Sequence, residues 1–79
     1  MSGMNITRRQ AIQEIQNKLA NCQSELETHL SDEQDYFDNM PESLQGGDKG
    51  DKAQQAVDAM QESIDLLSQA VENLNSATE

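Results

Sequence analysis

The acidic stretch that begins at Asp32 has side chains of the type that bind metal ions. It reads Asp-Glu-Gln-Asp-Tyr-Phe-Asp, and carboxylates are ligands that Ca²⁺ prefers. A calcium loop of the EF-hand type requires Gly at its sixth position and Glu at its twelfth. Asp38 is the sixth residue counted from Glu33, and other registers fail as well. The stretch therefore fits the solvated face of a helix better than a calcium loop.

Cys22, Glu25 and His29 form a second candidate cluster, with the spacing that places three side chains on one side of a helix. Zinc takes Cys and His ligands, but the sequence has one of each, so a complete set would need two copies of the chain. We favour Cys22 as a small core residue and His29 at the edge of the core. The sequence predicts no metal and no other cofactor.

The sequence predicts a protein that is not an enzyme. Paired catalytic carboxylates need a cleft, and two helices provide no obvious one. The run Gly46-Gly47-Asp48-Lys49-Gly50 lacks the spacing of a phosphate-binding loop, and no Ser-His-Asp arrangement is recognisable.

Charge limits the partners that the protein can bind. The chain has 79 residues with 15 acids and 5 bases, a net charge of −10 that opposes binding to nucleic acid or to anionic lipid. The charge is concentrated in residues 31–51, which contain seven acids and Lys49 as their one base, for a net charge of −6. A basic protein surface, including one that normally holds DNA or RNA, is the expected partner. We expect no membrane span and no signal peptide, and therefore a cytoplasmic location.

A long first helix is predicted over residues 8–39. Thr7 and Gln10 have the spacing of a capping box, and Pro41 ends the helix. The apolar stripe shifts its phase after Leu26, which predicts a stutter, with a kink near Ser31 or a new helix capped by it. The stripe before the shift comprises Ile12, Ile15, Leu19, Cys22 and Leu26, and the stripe after it comprises Leu30, Phe37 and Met40.

A second helix is predicted over residues 51–76, after a flexible loop over residues 41–50 and with Asp48 or Asp51 as its cap. Three heptads have β-branched residues at one core position and Met or Leu at the other, a coiled-coil pattern with small, uncharged flanks. These core residues are Val57, Met60, Ile64, Leu67, Val71 and Leu74. Such wide stripes suit a helical bundle.

These elements predict an all-α fold, an antiparallel helical hairpin that forms one domain over residues 1–79. The termini, residues 1–6 and 77–79, are expected to be frayed. One seam between two helices is a small core for a chain that has no disulfide, so we expect assembly into a dimeric four-helix bundle. The aromatic pair Tyr36 and Phe37 is expected either to close the core at the turn or to anchor a partner.

Residues 32–45, which read DEQDYFDNMPESLQ, together with the heptads of residues 56–67, AVDAMQESIDLL, resemble small acidic helical proteins encoded by phages and prophages. The resemblance implies a mobile-element origin and a bacterial host, and it assigns no mechanism.

By analogy with such proteins, we expect an inhibitor that blocks a basic surface of a host defence or nucleic-acid-handling protein. The expected binding residues are Asp32, Asp35, Tyr36, Asp38 and Glu42. The alternatives are a structural homo-oligomer, or an oligomer that holds a small signalling ligand between subunits, with Arg8 and Arg9 as its only plausible anchors.

Overall fold

The computed structural model of the protein describes residues 5–79, which form three helices and no strand. They are α1 (Ile6–Asp38), α2 (Glu42–Gln45) and α3 (Asp48–Ala77). The predicted all-α class and the long first helix are confirmed. Residues 1–4, most of the N-terminal segment that was expected to fray, lie outside the described residues, while Ile6 and Ala77 belong to helices.

Asn5 caps α1, with its side-chain Oδ1 accepting a hydrogen bond from the backbone N–H of Arg8 at 2.7 Å. The predicted cap at Thr7 is wrong, because Asn5 already satisfies an unpaired N–H of the first turn and the helix begins two residues earlier.

Helix α1 runs through Ser31 without a break, and Ser31 is exposed. Its partly or fully buried residues recur at alternating spacings of three and four from one end to the other. They are Arg9, Ile12, Gln16, Leu19, Gln23, Leu26, Leu30, Glu33 and Phe37, and Gln34 beside Glu33 is also half-buried. The predicted stutter is therefore wrong, because a single heptad phase contains both ends of the apolar pattern.

Ile15 and Cys22 do not belong to this seam, which corrects two expected core positions. Ile15 is 47% exposed, and Cys22 is exposed. A continuous helix can present one phase only, and the observed phase covers Leu30 and Phe37 in place of Ile15 and Cys22. Since Phe37 is much larger than Cys22, this phase removes more apolar surface from water.

Helix α3 contributes the predicted heptads to the seam. Val57 and Ile64 are buried, while the other predicted core residues of this helix are half-buried. The seam extends one heptad further toward the N-terminus, where Gly50 and Ala53 are buried. The helix begins at Asp48 with Gly47 as its N-cap, so neither aspartate is the cap and the predicted loop is too long.

The hairpin is antiparallel, because Gln16 near the start of α1 contacts the end of α3. Its side-chain amide donates hydrogen bonds to the carbonyl of Val71 at 3.2 Å and to Oδ1 of Asn75 at 2.6 Å. The Cα radius of gyration is 17.9 Å, against about 12 Å for a compact domain of this length. The result is a rod of 61 × 14 × 13 Å.

Few apolar side chains are fully buried between the two long helices of this rod. Among residues 5–79, the buried apolar side chains are those of Ala53, Val57 and Ile64. No helix in this range has the length and apolar character needed to cross a bilayer.

Candidate functional site

The closed end of the hairpin is a compact turn built by backbone and glutamine hydrogen bonds. The carbonyl of Pro41 accepts from the N–H of Leu44 at 2.8 Å and of Gln45 at 3.1 Å, which forms α2. The side-chain amide of Gln45 then donates to the carbonyls of Phe37 at 3.1 Å and Met40 at 3.2 Å. The carbonyl of Phe37, in the last turn of α1, also accepts from the backbone N–H of Met40 at 3.1 Å, so Gln45 adds a second bond at this helix end and one to the residue at the turn.

Gly50 brings the first turn of α3 directly against α2. A Cβ added to Gly50 would lie 2.7 Å from Cα of Gln45 and would overlap the carbonyl of the same residue. Only glycine permits this approach, so Gly50 is a packing residue within α3 and not part of a flexible loop. The residues on both sides of the turn are thereby held in a fixed relation.

The four acids expected to bind a partner, Asp32, Asp35, Asp38 and Glu42, are all exposed around this turn. They carry little of the local hydrogen bonding, although Asp38 accepts from the side-chain amide of Gln34 at 3.0 Å. We call these four residues the acidic turn.

Two acids of the acidic turn lie where the helix dipole disfavours negative charge. Asp35 and Asp38 are near the C-terminal end of α1, which carries partial negative charge, and the last turn contains no basic residue. Asp48 and Asp51 lie in the first turn of α3, where the helix dipole favours them. The local fold therefore explains the second pair of acids but not the first.

Tyr36 and Phe37 diverge at this end of the hairpin. Phe37 is half-buried in the seam, whereas Tyr36 is 51% exposed beside Leu44, which is 49% exposed. An open pocket of about 260 Å³ lies between them. It is lined by Tyr36, Asn39, Met40, Pro41, Leu44 and Lys49.

Sequence reasoning did not assign Asn39, Pro41 and Lys49 to this site. Lys49 reaches the pocket because α3 begins three residues earlier than predicted and packs closely at Gly50. Pro41 and the neighbouring glycines did mark a turn, and a tight turn brings the start of the next helix next to the end of the previous one. That signal was available in the sequence.

Neither candidate metal site is assembled. Within residues 5–79, no group of three His, Cys, Asp or Glu side chains is arranged to hold a metal ion.

At the open end of the hairpin, Arg8 is exposed and Arg9 lies in the seam. The Nε atom of Arg9 is buried and has no hydrogen-bond partner among the described residues. Since packing holds Arg9 in the seam, the two arginines do not form one exposed anion site.

Comparison with protein-family models, with curated proteins and with solved structures gives no match. The resemblance to phage-encoded proteins therefore stays a prediction from the sequence.

Proposed function

We propose that this protein is a non-enzymatic binding module that docks its acidic turn on a basic surface of another protein. The observation that carries the proposal is the position of Asp35 and Asp38, exposed near a helix end where the dipole disfavours negative charge. Where a natural protein departs from the local rules of sequence and structure, the departure is often at a functional site. The neighbouring apolar pocket supplies what charge alone lacks, because interfaces concentrate binding energy in apolar anchors within a polar rim.

The partner that fits is a protein surface rich in Lys and Arg. Exposed carboxylates at the end of a narrow rod can take the place of nucleic-acid phosphates on a surface that normally binds DNA or RNA. Tyr36 and Leu44 would insert as anchors, while Asp32, Asp35, Asp38 and Glu42 would steer the approach. A phage inhibitor of a host defence or nucleic-acid-handling protein in the bacterial cytoplasm is the biological role that we infer.

We also propose that the working form is a dimer that forms a four-helix bundle. The accessible surface is 5770 Å², about 1,000 Å² more than the roughly 4,800 Å² expected for a monomer of 8.8 kDa. A chain with this little core gains stability by pairing.

A matched pair of charge variants tests the acidic turn. In the first, Asp32, Asp35 and Asp38 become Asn and Glu42 becomes Gln, which changes the net charge from −10 to −6. In the second, the same change is made at four exposed acids elsewhere, Glu14→Gln, Asp58→Asn, Asp65→Asn and Glu72→Gln. Each protein is used to capture partners from a bacterial lysate at low and at high salt.

The wild type and the second variant should retain a basic protein that added DNA displaces, whereas the first variant should lose it. In purified form, the first variant should associate more slowly and with a flatter salt dependence. Equal retention by both variants would place the binding surface elsewhere.

A structural role in which self-assembly is the function is the main alternative. It predicts that the wild-type protein retains no host protein and that its assembly does not weaken with salt. The third reading, a small ligand held between subunits, has less support because Arg9 is held in the seam.

A further inference from the structure

One long side of the hairpin differs from the rest in charge. On α1 it contains every seventh residue from Arg8 to Tyr36, and on α3 it contains every seventh residue from Lys49 to Ala77. We call each such row of residues along a helix a ridge. Both ridges lie on the same side of the rod, because Tyr36 and Lys49 line one pocket. We call these ridges, together with the adjoining ridges from Ala11 to Asp32 and from Lys52 to Asn73, the low-acid face.

The low-acid face carries four of the five bases of the chain, Arg8, Lys18, Lys49 and Lys52, and two of its 15 acids, Glu25 and Asp32. Its net charge is +2, so the remainder of the molecule carries −12. Two copies that met through any of the acidic sides would repel each other. Contact through the low-acid face brings together two surfaces of only +2, which lowers this repulsion, and it permits pairs of opposite charge.

The same face also carries exposed apolar side chains in its middle and toward the open end of the hairpin. Ile15 is 47% exposed and Leu66 is 57% exposed, and the exposed Cys22 lies near the midpoint of α1. Between them α3 presents Ala56, Ser63 and Ala70. Small side chains let two helices approach closely, and the larger ones beside them supply the area to be covered.

We propose that the low-acid face is the surface through which two copies pair, with Cys22 and Leu66 near the centre of the contact and Ile15 between the centre and the open end. The inference rests on the dimer proposed above and does not depend on the acidic turn. The whole molecule exposes about 1,000 Å² more than a compact monomer of its mass, so the loss of roughly 800 Å² per partner in a standard interface would bring it near the compact value.

Charge also favours one relative orientation of the two rods in the dimer. Parallel rods would place the two acidic turns side by side. Antiparallel rods separate them by most of the 61 Å length, many times the Debye length of about 10 Å. The antiparallel pair therefore leaves Asp35, Asp38 and Glu42 free at each end, while Asp32 and Tyr36 lie at the closed-end limit of the low-acid face.

Sedimentation equilibrium of two double variants tests the face. Ile15→Glu with Leu66→Glu places charge on the low-acid face, and Gln13→Glu with Gln55→Glu makes the same charge change at exposed residues away from it. The dissociation constant of the dimer should rise by at least about tenfold in the first variant, because a charge would be buried in an apolar contact. The second variant should stay within about threefold of the wild type.

The rate at which the Cys22 thiol of the wild-type chain is alkylated provides a second test. This test applies whether or not the separated monomer stays folded. Cys22 should react more slowly as the protein concentration rises and the dimer forms. A thiol placed on the outer side, in the variant Cys22→Ala with Gln55→Cys, should react at a rate that does not depend on concentration.

A wild-type monomer at tens of micromolar, equal weakening by both double variants, or a constant reaction rate of Cys22 would each overturn the proposal. A triple variant, Asp35→Asn with Asp38→Asn and Glu42→Gln, distinguishes this proposal from the proposed function. It leaves Asp32 on the low-acid face unchanged, so it should lose the host partner and keep the dimer.

Discussion

Gln16 is the polar side chain that joins the two helices near the open end of the hairpin. It is 8% exposed and donates to both Val71 and Asn75 on α3. A buried amide costs free energy unless it is hydrogen-bonded, and here the bonds depend on one alignment of the helices. Gln16 therefore favours the observed register over others that an apolar residue would tolerate equally.

A double-mutant cycle measures this contribution. Gln16→Ala and Asn75→Ala should each lower the free energy of unfolding by about 1 kcal/mol, since each removes one side of the hydrogen bond. The double variant should recover a coupling energy of about 0.5–1 kcal/mol in urea denaturation. Strictly additive effects would show that the 2.6 Å contact contributes nothing.

Substitution by alanine is expected to change the free energy of unfolding in opposite directions at two glycines of the turn. Gly50→Ala should lower the free energy of unfolding by about 1–3 kcal/mol, because its Cβ overlaps backbone atoms of Gln45 that cannot move aside. Gly46→Ala should be neutral or stabilising by about 0.5 kcal/mol, since no atom lies within 4 Å and the backbone has a φ of −87° that alanine readily adopts.

Thermal unfolding followed by circular dichroism compares the two alanine variants directly. Similar melting temperatures would contradict the close contact between α2 and α3. A loss confined to Gly50→Ala supports the rigid turn on which the geometry of the acidic turn depends.

At the scale of elements, one substitution at Ser31 tests whether α1 is continuous. A continuous helix and a helix that begins at Ser31 predict changes of opposite sign in the free energy of unfolding. Ser31 is exposed inside a continuous helix, so Ser31→Ala should raise the free energy of unfolding by about 0.5 kcal/mol through helix propensity. If Ser31 capped a new helix, the same change would lower it by about 1 kcal/mol. Asn5→Ala is the matched control at the observed cap and should cost about 1 kcal/mol in the same urea titration.

The two long helices differ in how well their sequences specify the contact. In α3 every predicted core position is apolar, so the heptads alone identify the face that packs. In α1 the seam contains Arg9, Gln16, Gln23 and Glu33, and the apolar Ile15 lies outside it. Hydrophobic spacing alone therefore favours the wrong phase over the first half of this helix.

A signal for the observed phase of α1 was nevertheless present. Leu30 and Phe37 are seven residues apart, and the same interval extended backward reaches Gln23, Gln16 and Arg9. Accepting that phase requires polar residues in a seam, and only the partner helix shows why they are tolerated there. Long polar side chains can reach carbonyls or solvent at the edge of a two-helix contact. The exposed acids of the turn followed from the charge pattern, while the pocket beside them depended on the close packing at Gly50.

At the scale of the whole molecule, charge and apolar surface are divided among different sides. The seam uses one stripe of each helix, the low-acid face offers a second apolar region, and the acids occupy the outer sides and the closed end. Pairing through the low-acid face would leave two acidic turns on one particle. Two turns that reach two sites on one target would bind with an effective concentration that a single turn lacks.

The last prediction uses two pairs of acids with the same charge and opposite relations to a helix end. Asp35→Asn with Asp38→Asn and Asp48→Asn with Asp51→Asn each change the net charge from −10 to −8. Both relieve general repulsion, but the first pair also removes charge from the negative end of α1, while the second removes it from the positive end of α3. At low salt, urea denaturation should place the free energy of unfolding of the first variant about 1–2 kcal/mol above that of the second. High salt should shrink this difference, because exposed charges are screened. Equal stability at low salt would show that Asp35 and Asp38 carry no extra electrostatic cost. The main reason to regard them as binding residues would then be lost.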